Sequence, residues 1–442
     1  CGIIGCIDST DDKIQMDLRL RKMLGMIRHR GPDQFGIFIE EGVGIGNARL
    51  SIIDLDTGQQ PISNENVDVW IVYNGELFNY LPLRYELERK GHQFSTTSDT
   101  EVIVHLYEEY STDCVKKMNG QFAFAIWDSR NKSLFLARDR IGIRPLFYTC
   151  VDRTLFFSSE IKALFVNPEV NAEIDLFAFD QLFRYWSPLS PRTFFKNIYE
   201  LPPGNTMTYR EGKIAIQPFW QLESIIPSVS ASNGHGSPFE ALEKLDETVS
   251  ELRELLVDSV RIRLQSDVPV GAYLSGGLDS SLTTAIIRKY TNSNLDTFSI
   301  TFEDERYDEG KYQRQMASVV GTNHQTIHIN DKDIGRVFPD MLWHTEVPIL
   351  RTSPAPMFLL SQFVQKNKYK VVVTGEGADE MFAGYDIFKE AKIRRFWAKN
   401  PDSTLRPELI KRLYPYIPGF VNSQNDFMKA FFKQGLTDLE QP

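Results

Sequence analysis

A serine- and glycine-rich segment in the second half of the chain has the residue types of an anion-binding loop. Ser275-Gly-Gly-Leu-Asp-Ser-Ser281 follows a short apolar run at 268–272 and precedes a stretch at 282–290 that predicts a helix. Glycines let the backbone approach an oxyanion, and the N–H groups and dipole at a helix N-terminus favour negative charge. Because Asp279 would repel a phosphate unless a cation lay between them, the segment predicts a magnesium–nucleotide site.

Two interpretations of this loop imply different chemistry. The segment lacks the lysine of a Walker A motif, so we interpret it as a pyrophosphate cradle for a reaction that releases AMP. The simpler interpretation is that Ser-Gly-Gly is a turn and that Asp279 is a helix N-cap. The strand before the loop and the helix after it favour the first interpretation. The residues predicted to bind phosphate are Ser275, Gly276, Gly277, Asp279 and Ser280.

The residue numbered 1 is a cysteine, which places a thiol and an α-amine on one residue. The amine has an ordinary pKa of about 8, so near neutral pH it can accept the thiol proton. The thiolate is the reactive form, and such a residue needs no histidine partner. Cys1 is therefore a candidate nucleophile, although a terminus without chemistry is the simpler explanation for this residue alone.

Four further residues of the first half have the chemistry to hold a small polar substrate. Arg49 lies in a strand-like stretch, and its planar guanidinium can bind both oxygens of a carboxylate. Asn74-Gly75 ends an apolar strand; this pair is ordinarily a hairpin turn, but an asparagine amide beside a glycine N–H also forms an oxyanion hole. Asp99 follows Ser98 in a capping-box-like helix start, and it could equally hold an ammonium group.

A second glycine-rich acidic segment, Thr374-Gly-Glu-Gly-Ala-Asp379, follows an apolar run at 369–373. Alone, such a segment is a solvated turn. Because a phosphate loop is predicted in the same sheet, Asp379 is predicted to bind magnesium alongside Asp279.

Composition narrows the class of protein. The chain has 442 residues, 42% hydrophobic and 24% charged, which is enough for two or three ordinary globular domains. A net charge of −10 argues against general nucleic-acid binding. No apolar run has the length of a membrane span, and no signal segment is evident. Four cysteines without a disulfide or zinc pattern favour a reducing cytoplasm.

The elements that must position these residues fall into two groups. Alternating or apolar stretches such as 122–127 and 134–137 predict a β-rich first half. After residue 222 a Ser/Gly/Pro-rich connector appears, and then strands alternate with helices, which predicts a parallel sheet. Ligands on such sheets lie beyond the carboxyl ends of the strands. We expect domains at 1–222 and 240–442 joined by a linker at 223–239.

The motifs together resemble a known family. The first half is similar to the glutaminase domain of class II amidotransferases, in particular its asparagine synthetase branch. The Ser-Gly-Gly loop resembles the PP-loop of ATP pyrophosphatases, and the segment 374–385 resembles the second asparagine synthetase signature. The segments that carry the glutaminase likeness are Cys1-Gly-Ile-Ile-Gly5, Arg28-His-Arg-Gly-Pro-Asp33, Ala48-Arg-Leu-Ser-Ile-Ile-Asp54, Asn74-Gly-Glu-Leu-Phe-Asn79 and Ser98-Asp-Thr-Glu101.

The resemblance implies an α+β N-terminal-nucleophile hydrolase sandwich (αββα), followed by an α/β parallel-sheet PP-loop ATP pyrophosphatase domain. It implies ATP and Mg²⁺ as cofactors, with Asp279 and Asp379 as metal ligands. Cys1 would attack the side-chain amide of glutamine, and Asn74 and Gly75 would hold the oxyanion. Glutamine would be bound by Arg49, Leu50, Ser51, Ile52, Ile53, Asn74, Gly75, Glu76 and Asp99, and ATP by Leu274, Ser275, Gly276, Gly277, Asp279, Ser280, Ile300, Thr374 and Gly375.

In the second half the resemblance places Glu376 and Asp379 around a β-aspartyl-AMP intermediate, and Glu346 at the acceptor pocket. Members of the family continue past the length seen here with a Pro-Phe-Leu-Asp segment and a catalytic lysine. Neither appears in this sequence, so we expect either an incomplete chain or a divergent member.

The expected function is that of a glutamine-dependent asparagine synthetase. Ammonia released at Cys1 would attack an adenylated aspartate carboxylate, with ATP converted to AMP and pyrophosphate. One alternative is the same chemistry on another acceptor acid, namely a sugar, a peptide or a natural-product precursor. Another is a glutaminase whose second half is inert. We expect small-molecule partners, no nucleic acid or membrane, and a homodimer.

Overall fold

The computed structural model describes residues 1–222, 238–290, 294–414 and 425–436. Most of the predicted linker at 223–239 lies outside these residues, so the domain boundaries stay a prediction. The chain forms two compact units. The first comprises Cys1–Gly276 with Thr284–Val373, and the second comprises Gly277–Thr283 with Thr374–Pro442.

The described residues form the following regular elements. The strands are β1 (Gly2–Ile7), β2 (Gln34–Glu40), β3 (Val43–Arg49), β4 (Ile62–Ser63), β5 (Val69–Leu77), β6 (Gly120–Asp128), β7 (Ser133–Arg138), β8 (Phe147–Val151), β9 (Thr154–Ser158), β10 (Tyr199–Glu200), β11 (Asn205–Arg210), β12 (Lys213–Pro218), β13 (Val270–Tyr273), β14 (Asp296–Phe302), β15 (Asn323–Ile329) and β16 (Val371–Val373). The α-helices are α1 (Lys13–Met26), α2 (Tyr80–Lys90), α3 (Asp99–Tyr110), α4 (Cys114–Lys117), α5 (Leu176–Tyr185), α6 (Pro238–Ile262), α7 (Leu278–Tyr290), α8 (Gly310–Val320), α9 (Asp331–Thr345), α10 (Pro354–Lys366), α11 (Ala378–Phe382), α12 (Asp386–Ala398) and α13 (Asn425–Lys433).

Two antiparallel six-stranded sheets form the first half. Their strand orders are β10-β8-β9-β1-β3-β2 and β12-β11-β7-β6-β5-β4. Side chains of successive strand residues point to opposite faces, so strands with apolar residues on both faces bury both sides of a sheet. One core, which includes Ile45 and Val72, lies between the sheets. Helix α1 covers the outer face of the first sheet, and α2 and α3 cover that of the second. This is the expected αββα sandwich.

The register of the second sheet corrects one local interpretation. Asn74 pairs with Ala123 and Gly75 with Phe122, so this Asn-Gly dipeptide lies inside β5 and not in a hairpin turn. Strand β5 instead continues to Leu77 and places both residues at one end of the sandwich.

A four-stranded sheet forms the core of the second half, with the order β15-β14-β13-β16. Every pair is parallel, as the alternation of strands and helices predicts. The carboxyl ends of all four strands therefore share one edge, and the residues after β13 and β16 begin there. Ile300, expected at a strand end, lies two residues inside the end of β14.

Helix α7 begins earlier than the apolar stretch at 282–290 predicts. It starts at Leu278, so Asp279 lies in the first helical turn and is not the N-cap. Among the described residues, no helix is both long enough and apolar enough to cross a bilayer. The second unit has its own small core, in which Trp397 contacts residues such as Ile410 and Phe432.

Candidate functional site

A cavity of about 290 Å³ opens at the end of the sandwich where β5 and Cys1 meet. It brings together most of the residues predicted to bind and cleave glutamine. The predicted residues that line it are Cys1, Arg49, Leu50, Ile52, Ile53, Asn74, Gly75, Glu76 and Asp99. Ser51 is the exception: its N–H donates to Asp33 and its carbonyl accepts from Lys370, and it is not among the lining residues.

Cys1 precedes β1, the strand that lies between β3 and β9 and so fixes the residue from both sides. The N–H of Leu50 donates to the Cys1 Sγ over 3.4 Å, and the Arg30 Nε donates to the Cys1 carbonyl over 3.0 Å. Burial lowers the pKa of the Cys1 α-amine well below its ordinary value, and the charges of Arg30 and Arg144 lower it further. The lowered pKa favours the neutral amine, which is the form that can accept the thiol proton.

Asn74 is a buried residue of the cavity wall whose side-chain amide can donate a hydrogen bond. Its side chain is 1% exposed, and its Nδ2 has no hydrogen-bond partner among the described residues. Buried donors without partners are rare in folded proteins and call for an explanation. A substrate oxygen in the cavity would satisfy this donor.

Arg49 is held in place by its own half of the chain. One Nη donates to the Gln34 Oε1 over 2.7 Å, and the other donates to the carbonyls of Ile53 and Asp54. These bonds use three of the five N–H groups of a guanidinium. The residue is thus oriented at the cavity wall with further donors to offer a ligand.

Two carboxyl groups face the cavity from different elements. Asp99 begins α3 and accepts the N–H of Leu77 over 2.9 Å, which ties the helix to the end of β5. Burial raises the pKa of Asp99 to about 6. Burial, and then the charge of Asp99, raise the pKa of Glu76 to about 7. The arrangement concentrates negative charge that an ammonium group of a ligand would balance.

The start of α3 differs in detail from the sequence expectation. The Ser98 side chain accepts the N–H of Thr100, as an N-cap does. Glu101 does not complete a capping box. It accepts instead the N–H groups of Ser95 and Thr96, each over 2.7 Å, and so fixes the loop before the helix.

Several residues that line the cavity were not predicted from the sequence. They are Gln60, Tyr73, Ser98, Thr100, Gln121, Arg144, Lys370, Val371 and Val372. Arg144 is notable because its Nε has no hydrogen-bond partner in the described part of the chain, and burial lowers its pKa. Lys370 to Val372 come from the second half of the chain, and a sequence gives no local signal for such a contact.

Ion pairs and hydrogen bonds fix this contact between the two halves of the sequence. The Lys370 Nζ lies 2.6 Å from the Asp33 Oδ2. The carboxylate of Asp267 accepts the N–H of Asp54 over 2.7 Å, and the Asp267 N–H donates to the Ile52 carbonyl. The loop that carries Ile52 and Ile53 is therefore anchored by the residue before β13.

Glu346 makes a further contact of this kind. Its two carboxylate oxygens accept the N–H groups of Ile161 and Lys162, each over 2.7 Å, and burial raises its pKa. Glu346 also lines a second, mainly apolar cavity of about 490 Å³ beside Trp343. The predicted role of Glu346 at an acceptor pocket stays a prediction.

The residues predicted to bind ATP fall in both units. In the first unit, the Leu274 N–H donates to the Phe298 carbonyl over 3.1 Å. Gly276 has φ +86°, and a Cβ there would lie 2.9 Å from the backbone nitrogen of Gln313. Position 276 therefore requires glycine, because its φ is positive and because a Cβ there would be too close to a neighbouring backbone atom. The carbonyl of Ile300 accepts the Gln313 side chain.

In the second unit, the start of α7 lies against the segment after β16. A Cβ on Gly375 would lie 3.0 Å from backbone atoms of Asp279 and Ser280, so glycine permits this close approach. The Glu376 N–H donates to Thr374, and the Gly384 N–H donates to the Asp379 carbonyl. The structure thus brings Asp279, Ser280 and Gly375 together. Among the described residues, neither Asp279 nor Asp379 belongs to a group of three or more possible metal ligands.

Comparison with known proteins shows which protein families the chain matches. Residues 1–220 match the family described as "Glutamine amidotransferase domain", and residues 251–438 match the family described as "Asparagine synthase". The chain is 35% identical over 396 residues to asparagine synthetase [glutamine-hydrolyzing] 1 of Bacillus subtilis, covering 88% of this chain and 60% of that protein.

Two other relatives show the range of names among similar proteins. An asparagine synthetase [glutamine-hydrolyzing] of Sandersonia aurantiaca is 33% identical over 406 residues, covering 88% of this chain and 68% of that protein. Amidase chyE of Penicillium rubens is 34% identical over 389 residues, covering 84% of this chain and 55% of that protein. The chain spans about three fifths of the length of the Bacillus subtilis relative.

Proposed function

The chain belongs to the glutamine-hydrolysing asparagine synthetase family, and on this basis we propose that it transfers the amide nitrogen of glutamine to an ATP-activated carboxylate. The observation that carries the proposal is the cavity that gathers a thiol, an unsatisfied amide donor, an arginine and a buried carboxyl group around one small volume. Aspartate is the proposed acceptor.

The first half-reaction would proceed on Cys1. Its neutral α-amine accepts the thiol proton, and the thiolate attacks the side-chain amide carbon of glutamine. The Nδ2 of Asn74 and the N–H of Gly75 stabilise the oxyanion of the tetrahedral intermediate. Arg49 binds the α-carboxylate of the substrate, and the carboxylate of Asp99 binds its α-ammonium. The protonated α-amine returns its proton to the leaving nitrogen, ammonia leaves, and water then hydrolyses the glutamyl thioester to glutamate and the free Cys1 thiol.

The second half-reaction would use the residues after β13 and β16. The loop from Leu274 to Gly277 and the first turn of α7 would bind the phosphates of ATP. Asp279 and Asp379 offer the carboxylate oxygens that Mg²⁺ prefers, and Mg²⁺ usually completes its ligands with phosphate oxygens and water. When bound, Mg²⁺ offsets the negative charge of the pyrophosphate leaving group. Glu376 lies beside Asp379 in sequence and is the proposed residue at the acyl-adenylate.

A second candidate differs only in the acceptor. A relative named an amidase is about as similar as the relatives named asparagine synthetases, at 34% and 35% identity. Overall identity therefore does not select aspartate over another acid, and we keep a different acceptor carboxylate as the alternative. Glutamine, ATP and an acceptor acid are the proposed partners, with the homodimer and the cytoplasmic location kept as predictions.

The direct test supplies glutamine, ATP and Mg²⁺ with aspartate, and then with a panel of other carboxylic acids. Glutamate, AMP and pyrophosphate are measured separately. AMP and pyrophosphate that appear only with aspartate support asparagine synthesis, and the same products with another acid support the alternative. Glutamate formation without AMP for any acid contradicts the proposed ligase and leaves a glutaminase.

A further inference from the structure

A separate cluster of histidine and glutamate side chains lies on the outer helical layer of the sandwich. Glu65 follows β4, His92 follows α2, and His105 and Glu108 both lie on α3. Each of these four side chains offers one ligand atom, and the four atoms lie within 4.8 Å of one another. None of them lines the glutamine cavity.

We propose that Glu65, His92, His105 and Glu108 form a binding site for a divalent transition metal, with Zn²⁺ as the best-fitting ion. Two imidazoles and two carboxylates are ligands that Zn²⁺ accepts. With neutral histidines, the two carboxylates balance the charge of the ion. The site would be structural, because all four ligand positions come from protein side chains.

The distances from the histidine nitrogens to the carboxylate oxygens are close to those of a tetrahedral site. Zn–N and Zn–O bonds of about 2.0–2.2 Å at tetrahedral angles place neighbouring ligand atoms roughly 3.3–3.6 Å apart. The Glu108 Oε2 lies 3.0 Å from the His105 Nδ1 and 3.7 Å from the His92 Nδ1. Glu65 faces the two histidines through different oxygens, with its Oε2 3.4 Å from the His105 Nδ1 and its Oε1 3.6 Å from the His92 Nδ1. Each of these four distances is within a few tenths of an ångström of the expected range.

The second nitrogen of the His92 imidazole has a carboxylate partner, because the His92 Nε2 lies 3.2 Å from the Glu109 carboxylate. Metal-binding histidines characteristically direct their other N–H to a carboxylate, which fixes the tautomer and raises the basicity of the ligand nitrogen. His92 thus has the orientation that coordination through Nδ1 requires. The His105 Nε2 lies 3.8 Å from the Glu101 carboxylate and has no hydrogen-bond partner among the described residues.

The carboxylates are held in place as well. The Asn64 Nδ2 donates to one oxygen of Glu108 over 2.8 Å and leaves the other oxygen toward the two histidines. The N–H of Gln93 donates to Glu65 over 3.3 Å. Oriented ligands of this kind reduce the ordering that metal binding requires.

The charges of the cluster also favour a cation. Four carboxylates, from Glu65, Glu101, Glu108 and Glu109, surround the two histidines, and Lys90 pairs with Glu109 at 2.7 Å. Even with both histidines protonated, the cluster therefore has one more negative than positive charge.

A second histidine–glutamate group serves as a contrast. His29, Glu160 and His344 also lie close together. There the Glu160 carboxylate is already paired with the guanidinium of Arg30 at 2.8 Å and with the ammonium of Lys162. Two permanent cations leave little reason for a metal to bind, so we propose no site at this group.

The test measures Zn²⁺ binding to the metal-free full chain by calorimetry and by metal analysis after dialysis. Co²⁺ serves as a spectroscopic probe, because tetrahedral Co²⁺ absorbs visible light strongly. His92→Gln and Glu65→Gln remove one ligand each at partly exposed positions where folding should persist. His328→Gln removes an exposed histidine on β15 and is the matched control. Cys1→Ala excludes binding by the catalytic-site thiol.

We expect one Zn²⁺ per chain, a tetrahedral Co²⁺ spectrum, and a melting temperature that rises with Zn²⁺. Binding should weaken at least about tenfold in His92→Gln and Glu65→Gln and stay unchanged in His328→Gln and Cys1→Ala. Glu109→Gln, which alters only the outer carboxylate, should weaken binding by about 10–100-fold. A chain that binds no Zn²⁺, or whose binding survives both ligand substitutions, would show that the cluster is an ion-pair network only.

Discussion

Asn74→Ala tests the oxyanion role most sharply, because the structure separates its effect on catalysis from its effect on stability. Removing one oxyanion donor lowers kcat by about 10²–10³-fold, equivalent to about 2.7–4 kcal/mol of transition-state stabilisation. The Asn74 Nδ2 has no protein partner among the described residues, so its removal leaves no acceptor unsatisfied. We therefore expect the free energy of unfolding to change by only about 1 kcal/mol.

Asn47→Ala is the matched control. Asn47 is fully buried, and its Nδ2 donates to the Tyr73 carbonyl over 3.0 Å. Its loss leaves a buried carbonyl without a partner, which costs about 1–3 kcal/mol of stability. Glutamine hydrolysis should nevertheless stay within about tenfold of the unsubstituted protein at a temperature where the variant is folded.

The assay measures glutamate release under saturating glutamine together with urea unfolding for both variants. The predicted result is a catalytic loss without a stability loss for Asn74→Ala, and the reverse for Asn47→Ala. If Asn74→Ala kept its kcat, or lost stability as Asn47→Ala does, the unpaired amide would not be an oxyanion donor.

Three further predictions concern the rest of the two sites. Burial raises the pKa of Asp99 to about 6, so its carboxyl group is protonated in acid and cannot bind the ammonium group of glutamine. We therefore expect kcat/KM for glutamine to rise with pH through this value. Asp99→Asn should lower kcat/KM and remove this pH dependence. Asp279→Asn should abolish AMP formation while glutamine hydrolysis survives; a variant that still releases AMP would contradict the metal role. Gly375→Val should lower AMP formation at least about tenfold, because a Cβ at this position would lie 3.0 Å from the Asp279 backbone. Gly335→Ala is the control and should leave AMP formation unchanged, because a Cβ there meets no atom within 4 Å.

The sequence predicts the parts of this fold that depend on local pattern. Alternation identifies strands such as β6 and β7, and the strand–helix order predicts the parallel sheet of the second half. Prediction from the sequence fails where strand pairing in the folded chain overrides the local conformational preference of the residues. Asn74-Gly75 prefers a hairpin turn, but pairing with Ala123 and Phe122 keeps both residues in a long strand.

The residues of the candidate site are likewise predictable only in part from the sequence. Cys1, Arg49, Asn74 and Asp99 belong to recognisable motifs, and the structure places them around one cavity. Arg144 and Lys370 lie far from Cys1 in sequence, and no local pattern shows that their side chains reach this cavity. The start of α7 at Leu278 was missed because the apolar pattern begins only after the polar first turn.

The central claim is that the Cys1 thiol forms a covalent intermediate with glutamine. Mass spectrometry of a digest of the protein, quenched during turnover with glutamine, tests it directly and also determines which residue stands at the amino terminus. We predict one glutamyl group on the peptide that contains Cys1, and none in Cys1→Ala. Glutamine hydrolysis that persists in Cys1→Ala, or a glutamyl group on another residue, would contradict the claim.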